Sequence, residues 1–206
     1  MRESTTALLP VRRGRGRRPA AEVRGGVLAA AAGLLFSGGI TAVTFERVAA
    51  AAGSSKMTLY KWWPSPGALA AEAFFAHSEQ VLEFPDTGDI EADLTAQLRA
   101  FVLLLGRDGA GPAIAGLIGA AQTDPDLAKA WSEKYTQPRR DLAVQALERA
   151  RGRGQIRADI ALDIIVDQLW GACYHRLLVP DAPLDQEAAD TLVRNALHGA
   201  ATPRRC

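Results

Sequence analysis

The sequence predicts an all-α fold. Apolar residues recur three or four positions apart over most of its 206 residues, which places them along one face of a helix. Short segments rich in Gly, Pro and Asp interrupt this pattern, for example at 84–89 and 180–183. No segment alternates apolar and polar residues between turn signals, as a half-buried strand would.

Residues 1–19 contain mainly Arg, Gly, Thr and Pro without apolar periodicity, and they predict a flexible basic arm. The first 24 residues carry seven arginines and two glutamates, a net charge of +5, whereas the remainder carries −4. Such asymmetry suggests contact with a polyanion, although a solubilising tail would show it too. The apolar run at 27–36 leaves a cleaved signal peptide open as an alternative, which Glu22 and Arg24 just before the run disfavour.

Local signals divide residues 20–82 into four helices joined by short turns. Thr44 is an N-cap residue, and Gly53 easily takes the positive φ that ends a helix. Ser55 caps a third helix, and Ser65 followed by Pro66 marks the start of a fourth. The predicted helices cover 20–37, 45–52, 56–62 and 66–82.

The second half predicts further helices, separated by Gly- and Pro-containing breaks. They cover about 90–105, 112–122, 124–152, 159–179 and 185–200.

The second and third helices form a helix-turn-helix pattern, in which a Gly-containing turn precedes a short capped helix. Its polar side chains suit a DNA groove, because Lys and Tyr reach phosphates while Lys and Thr also reach base edges. Leu59 and Trp63 are the predicted apolar anchors of this helix. The alternative is that Tyr60, Trp62 and Trp63 are core residues of a helical bundle.

The stretch GGITAVTFERVAAAAGSSKMTLYKWWPSPGAL, at 38–69, resembles the DNA-binding region of TetR-type transcriptional regulators. The segment at 123–160 also resembles one carboxy-terminal subgroup of that family. The resemblance implies a three-helix helix-turn-helix domain at 20–69 and a helical ligand-binding and dimerisation domain at 70–206. It further implies a cytoplasmic homodimer that represses transcription from a palindromic operator and is released by a small apolar or amphipathic ligand.

The resemblance assigns DNA-binding roles to residues around the turn and along the short helix, and the arm contributes two arginines. These residues are Arg17, Arg18, Thr44, Arg47, Ser55, Lys56, Met57, Thr58, Tyr60, Lys61 and Trp62. Two positions depart from the family pattern. Ser54 stands where the family usually has Val, and Pro66 replaces a Lys that contacts phosphate. We expect the basic arm to compensate for that missing charge.

The second half offers aromatic side chains with polar tips, which suit a mostly apolar ligand pocket. The candidate ligand residues are Trp131, Tyr135, Trp170, Tyr174 and His175. The resemblance places the dimer interface on the last two helices, although their apolar residues would also suit packing within one chain. The candidate interface residues are Ile160, Ile164, Leu169, Leu192 and Leu197.

Catalytic and metal-binding patterns are not evident in the sequence, so we predict no enzyme activity, cofactor or metal. Cys173 and Cys206 have no partner at metal-ligand spacing and are expected to be free thiols in a reducing compartment. No apolar run approaches the roughly 20 residues of a membrane-spanning helix. A non-specific architectural DNA-binding protein is the main functional alternative, since the basic arm alone would serve it.

Overall fold

The computed structural model describes residues 19–78, 84–107, 109–179 and 181–199. Every regular element in these ranges is helical, so the all-α prediction is confirmed. A 3₁₀ turn, Ile40–Ala42, follows the first helix. The α-helices are α1 Ala20–Gly38, α2 Phe45–Ala52, α3 Lys56–Trp62, α4 Pro66–Ser78, α5 Ile90–Leu105, α6 Ala110–Ala121, α7 Pro125–Trp131, α8 Gln137–Gly152, α9 Leu162–Leu178 and α10 Gln186–His198.

The predicted helix at 124–152 is not regular throughout. A π-helical turn, Ser132–Thr136, separates α7 from α8. Such a turn inserts an extra residue into the helical ladder without breaking the chain direction, which hydrophobic periodicity does not reveal. The predicted carboxy-terminal end of the fourth helix, at residue 82, lies outside the described residues, and α4 is described to Ser78.

The amino-terminal helices pack around a small apolar core. Val27 and Leu35 of α1 are buried, as are Val48 of α2 and Leu59 of α3. Leu69 of α4 is also fully buried, and α1 lies against both α2 and α4. Burial of these side chains is what holds the short α2 and α3 in place, since helices of this length are unstable alone.

The later helices are joined by apolar packing and by polar contacts between distant residues. Arg99 of α5 donates to both carboxylate oxygens of Asp190 in α10, each at 2.6 Å. Buried Asp93 accepts hydrogen bonds from the backbone N–H and the hydroxyl of Thr87, which fixes the segment before α5. Arg149 and Asp86 pair at 2.8 Å and fasten that segment to α8.

Close packing joins the amino-terminal helices to the rest of the molecule. Gly109, just before α6, has a φ of 77°, and a Cβ there would lie 2.5 Å from the carbonyl oxygen of Phe36. Only glycine permits this approach of α6 to the end of α1. α4 packs on α1 and on α7, so the predicted boundary between residues 69 and 70 falls within a helix that serves both predicted domains.

Among the described residues, few helices are long and apolar enough to cross a membrane. α1 is long and apolar enough to cross a membrane, and α5 with α6 would qualify only as one bent pair. Alanine and glycine make up much of α1, and its Val27, Ala31 and Leu35 are buried against neighbouring helices. α1 therefore packs one face against α2 and α4, and most of its residues lie outside the core.

Candidate nucleic-acid interface and ligand cavity

The turn between α2 and α3 is built from local hydrogen bonds. The Thr44 hydroxyl accepts from the backbone N–H of Arg47 at 3.2 Å and caps α2. Gly53 ends α2 in the left-handed conformation, with φ 59° and ψ 37°. The next N–H, from Ser54, then reaches back to the carbonyl of Ala49 at 3.0 Å. These contacts satisfy the free ends of α2 and set the direction of α3.

α3 begins at a second capping residue. The Ser55 hydroxyl accepts from the backbone N–H of Thr58 at 3.1 Å and lies 2.9 Å from its hydroxyl. Thr58 therefore supports the cap, and its hydroxyl is already engaged in the free protein. The predicted role of Thr58 at a base edge requires this contact to be shared or exchanged.

α3 has one buried face and one open face. Leu59 and Trp63 are 0% and 3% exposed, which confirms their predicted anchoring. Met57 is 78% exposed and Tyr60 58%, although they are large side chains. Lys61 is exposed as well. The open face thus presents apolar, hydroxyl and cationic groups together, as direct contact with bases and phosphates requires.

Lys56 is not an isolated cation. Its ammonium group lies 3.0 Å from the Glu46 carboxylate on α2, and both side chains are exposed. The hydrogen bond with Glu46 raises the pKa of Lys56, and the same contact lowers the pKa of Glu46. Sequence reasoning treated Lys56 as available for DNA and missed this partner. A solvent-exposed pair exchanges readily, so a phosphate can replace the carboxylate.

The adjacent residues Trp62 and Trp63 have different environments and different roles. Trp62 is half-buried and meets Trp63 edge to face, with ring centroids 5.6 Å apart. The indole N–H of Trp63 donates to Glu72 of α4 at 2.8 Å. Arg24 of α1 lies 5.1 Å above the Trp63 ring and 2.5 Å from the same carboxylate. One carboxylate therefore ties the end of α3 to α1 and α4.

A cavity of about 240 Å³ lies between α5, the π-helical turn, the start of α8 and the middle of α9. Apolar rings form much of its wall, and a few polar groups converge on it. The residues that matter most for its chemistry are Gln97, Phe101, Tyr135, Arg139, Trp170 and Tyr174. Three of the five residues that the sequence suggested for a ligand pocket, Tyr135, Trp170 and Tyr174, thus line one cavity.

The structure does not place the other two candidates on this cavity. Trp131 is buried and stacks on Tyr135, with ring centroids 4.3 Å apart. It also faces Phe74 of α4, at 5.9 Å. His175 is exposed on α9. Trp131 supports the cavity wall from behind, and His175 follows Tyr174 onto the other side of the helix.

Burial disfavours ionisation of the two tyrosines of the cavity. Desolvation raises the pKa of Tyr135 to about 12, although nearby Arg139 acts in the opposite direction. Burial also raises the pKa of Tyr174 well above its ordinary value. The Tyr135 hydroxyl has no partner at full hydrogen-bonding geometry, and the Tyr174 hydroxyl is its polar neighbour.

The two arginines near the cavity are engaged with the protein. Arg140 donates to both carboxylate oxygens of Asp167 on α9, one of them at 3.0 Å, and this contact raises the pKa of Arg140. The Arg139 guanidinium lies 4.9 Å above the Tyr135 ring and donates to the Ser78 carbonyl at 3.3 Å. Arg139 therefore links the cavity wall to the end of α4.

Comparison with known proteins identifies the two halves of the chain separately. The family described as bacterial regulatory proteins, tetR family, matches residues 27–73. The family described as tetracyclin repressor-like, C-terminal domain, matches residues 84–196. The chain belongs to the TetR family of bacterial transcriptional regulators. The amino-terminal match includes the apolar run of α1, so that run belongs to the DNA-binding region.

Individual TetR-family relatives cover most of the chain. The HTH-type transcriptional regulator YdeS of Bacillus subtilis strain 168 is 32% identical over 84% of this chain and 87% of its own. The DNA-binding transcriptional repressor TetR of Mycobacteroides abscessus is 30% identical over 83% of this chain and 90% of its own. The crystal structure of the TetR family transcription regulator SCO0332 is 53% identical, with a TM-score of 0.80, and covers 88% of this chain and 100% of its own.

TetR-family regulators bind DNA and act as dimers. On α9, Ile164 is 49% exposed and available to a second copy. Leu169, in contrast, is fully buried inside its own chain and has no surface to offer a partner, so its predicted interface role is wrong. The remaining candidates, Ile160, Leu192 and Leu197, are half-buried, and their interface role stays a prediction.

Several functional features of this TetR-family chain escaped sequence reasoning. Glu46 and Glu72 contact partners 10 and 9 positions away, a spacing that belongs to no helix or turn pattern. The cavity residues Gln97, Phe101 and Arg139 come from helices that are distant in sequence and meet only in the fold. The predicted arm contacts of Arg17 and Arg18 lie outside the described residues. The described residues contain no group of three or more His, Cys, Asp or Glu that could hold a metal ion.

Proposed function

We propose that this TetR-family regulator is a cytoplasmic repressor that binds a palindromic operator as a homodimer and is released by a small ligand. The observation that carries the proposal is the division of α3 into a buried face and an open face. Leu59 and Trp63 fix the helix on the protein, while Lys56, Met57, Tyr60 and Lys61 are exposed. Two such helices, about 34 Å apart in a dimer, would read the two halves of a palindrome.

A chain of contacts supports control of α3 by the cavity. Tyr135 of the cavity wall meets Phe74 of α4 edge to face, at 5.4 Å. Two residues earlier on α4, Glu72 accepts from Trp63 at the end of α3 and pairs with Arg24. A ligand that moves Tyr135 acts on the helix that positions α3. The ligand then releases the protein from the operator if it binds the conformation with low DNA affinity more tightly than the conformation with high DNA affinity.

Selection from a random duplex pool tests operator recognition. We expect a palindromic winner, with binding abolished in the double variant Lys56→Ala and Tyr60→Ala. Its matched control is the double variant Lys129→Ala and Lys134→Ala, which removes two exposed lysines of α7 and the π-helical turn. Enrichment of no sequence, with equal salt-sensitive binding to all duplexes, would instead support the architectural alternative.

The arm and the dimer require separate tests. Deletion of residues 1–18 should weaken binding to every duplex and reduce the salt dependence, if the arm supplies the phosphate interaction that Pro66 cannot make. Unchanged operator affinity would refute that role. Ile164→Asp should shift the sedimentation coefficient toward monomer, whereas Leu103→Asp, at a 40% exposed site on α5, should not.

A further inference from the structure

We propose that the cavity beside the π-helical turn binds a small, uncharged, planar aromatic molecule that carries a hydroxyl or carbonyl oxygen. The proposal rests on the proposed ligand-responsive function and specifies its ligand class. Three properties of the cavity lead to it: its size and ring-lined wall, the buried hydroxyl of Tyr135, and the way in which its charged groups are matched.

The size and wall favour a compact flat molecule. A volume of about 240 Å³ is below the roughly 300–1,000 Å³ typical of ligand pockets, so one or two fused rings fill it. Phe101 and Tyr174 line it and meet each other edge to face at 5.6 Å, and Trp170 adds a third ring. Aromatic walls bind flat rings through offset or edge contacts.

The hydroxyl of Tyr135 supplies the polar contact. Tyr135 is 1% exposed, and its hydroxyl lacks a partner at full hydrogen-bonding geometry. The neighbouring Tyr174 hydroxyl lies in the same wall. A buried hydroxyl without a good partner is unfavourable, and a ligand oxygen that both phenols can reach removes that defect.

The charges of the cavity favour a neutral ligand. The Arg140 guanidinium is matched by Asp167, with Asp163 3.9 Å away. The Arg139 guanidinium donates to Ser78 and covers the Tyr135 ring. Burial makes ionisation of both phenols less favourable, since it raises their pKa values. A site that disfavours a phenolate among its own residues also disfavours an anionic ligand that must leave water.

The experiment uses three probes that share one ring system, namely 2-naphthol, naphthalene and 2-naphthoate. Calorimetric titration of the full chain at pH 7 measures each dissociation constant. We expect 2-naphthol to bind at least about tenfold more tightly than the other two. Tyr135→Phe should weaken 2-naphthol by about 2- to 12-fold, the loss of one hydrogen bond, and leave naphthalene unchanged. Ser37→Ala, which removes an exposed hydroxyl on α1, is the control and should change neither.

Each other result overturns the inference. Tighter binding of 2-naphthoate would make this an anion site around the arginines, and equal binding of naphthalene would leave only apolar recognition. Binding of none of the probes would remove the ligand class. Naphthalene binding by the Tyr135→Phe protein shows that its cavity is still formed. Operator release is measured separately, so tight 2-naphthol binding without release would contradict the proposed function while the ligand class stands.

Discussion

The DNA-binding helix pair and the ligand cavity are positioned in opposite ways. The pair is set by contacts between near neighbours, such as Ser55 with Thr58 and Ser54 with Ala49. The cavity combines Phe101 and Tyr174, which lie 73 positions apart in sequence and meet only after α5 and α9 have packed. The DNA-binding geometry therefore depends on caps and turns together with packing on α1 and α4, whereas the cavity has no such local contribution and depends on the whole fold. Four predictions test this contrast.

The largest expected effect comes from Trp63, where the two regions are joined. Trp63→Ala removes a buried indole together with its contacts to Glu72 and Arg24. Truncation of a buried aromatic residue costs about 3–5 kcal/mol, measured as the free energy of unfolding in urea. Trp62→Ala, at a half-buried neighbour, should cost less than half as much. Separate unfolding of the amino-terminal helices in Trp63→Ala would show that this residue couples the regions.

The second effect concerns the cavity and appears at alkaline pH. The pKa of Tyr135 is raised from 10.0 to about 12 in the folded state, so folding holds the phenolic proton more tightly. The contribution of this pKa shift to the free energy of unfolding is complete below about pH 10 and is lost as the pH rises through about 12. Because each pKa unit corresponds to about 1.4 kcal/mol, its full size is about 2–3 kcal/mol.

Tyr135→Phe should make the alkaline loss of stability less steep, measured as the urea midpoint at a series of pH values. Cys173 and Tyr174 also contribute to the alkaline loss of stability, since burial raises the pKa of Cys173 to about 12 and raises that of Tyr174 well above its ordinary value. Both residues remain in the wild type and in Tyr135→Phe. If the urea midpoint falls equally steeply at alkaline pH in the wild type and in Tyr135→Phe, the result would contradict the burial of a protonated phenol at this position.

The third effect tests whether the helix pair depends on its local caps. Ser55→Ala removes the acceptor for the Thr58 N–H and should cost about 1 kcal/mol in the free energy of unfolding. Ser54→Ala is the matched control, because Ser54 joins the turn through its backbone N–H. Equal costs at the two serines would show that the turn is held by tertiary packing instead of by the cap.

The smallest effect is on DNA affinity, through Glu46. Glu46→Gln removes the carboxylate that holds Lys56 and should raise operator affinity by about threefold, with a salt slope steeper by up to about 0.9. Glu133→Gln, which removes an exposed pair with Lys129 between α7 and the π-helical turn, should leave binding unchanged. Lower affinity in Glu46→Gln would mean that the carboxylate orients Lys56 for DNA instead of competing with it.

The same contrast explains what the sequence could and could not predict. Thr44, Gly53 and Ser55 act through neighbours within a few positions, so their roles follow from residue type and spacing. Tyr135 and Trp131 are both aromatic residues of one helical segment, and pattern alone gave them the same role. Their separation into cavity wall and support depends on Phe74, which lies more than fifty positions earlier.

The spacing of apolar residues also could not predict which of them are buried within the chain. Ile164 and Leu169 are apolar residues of the same helix, and both were predicted at the dimer interface. They differ by five positions, which places them on different sides of the helix because each residue advances by about 100°. Only the packing of α9 against its neighbours determines that Leu169 faces inward.

The number of residues in the π-helical turn at Ser132–Thr136 sets the rotation of α7 about the helix axis relative to α8. Deleting one residue there would restore an ordinary α-helix and turn the preceding residues by about 100° relative to α8. Leu127 and Trp131 would then rotate away from α4, although no side chain in contact with DNA or ligand had been altered. A one-residue deletion before Tyr135 would thus weaken the contact between the cavity wall and α4, while the side chains of α3 that face DNA stay unchanged.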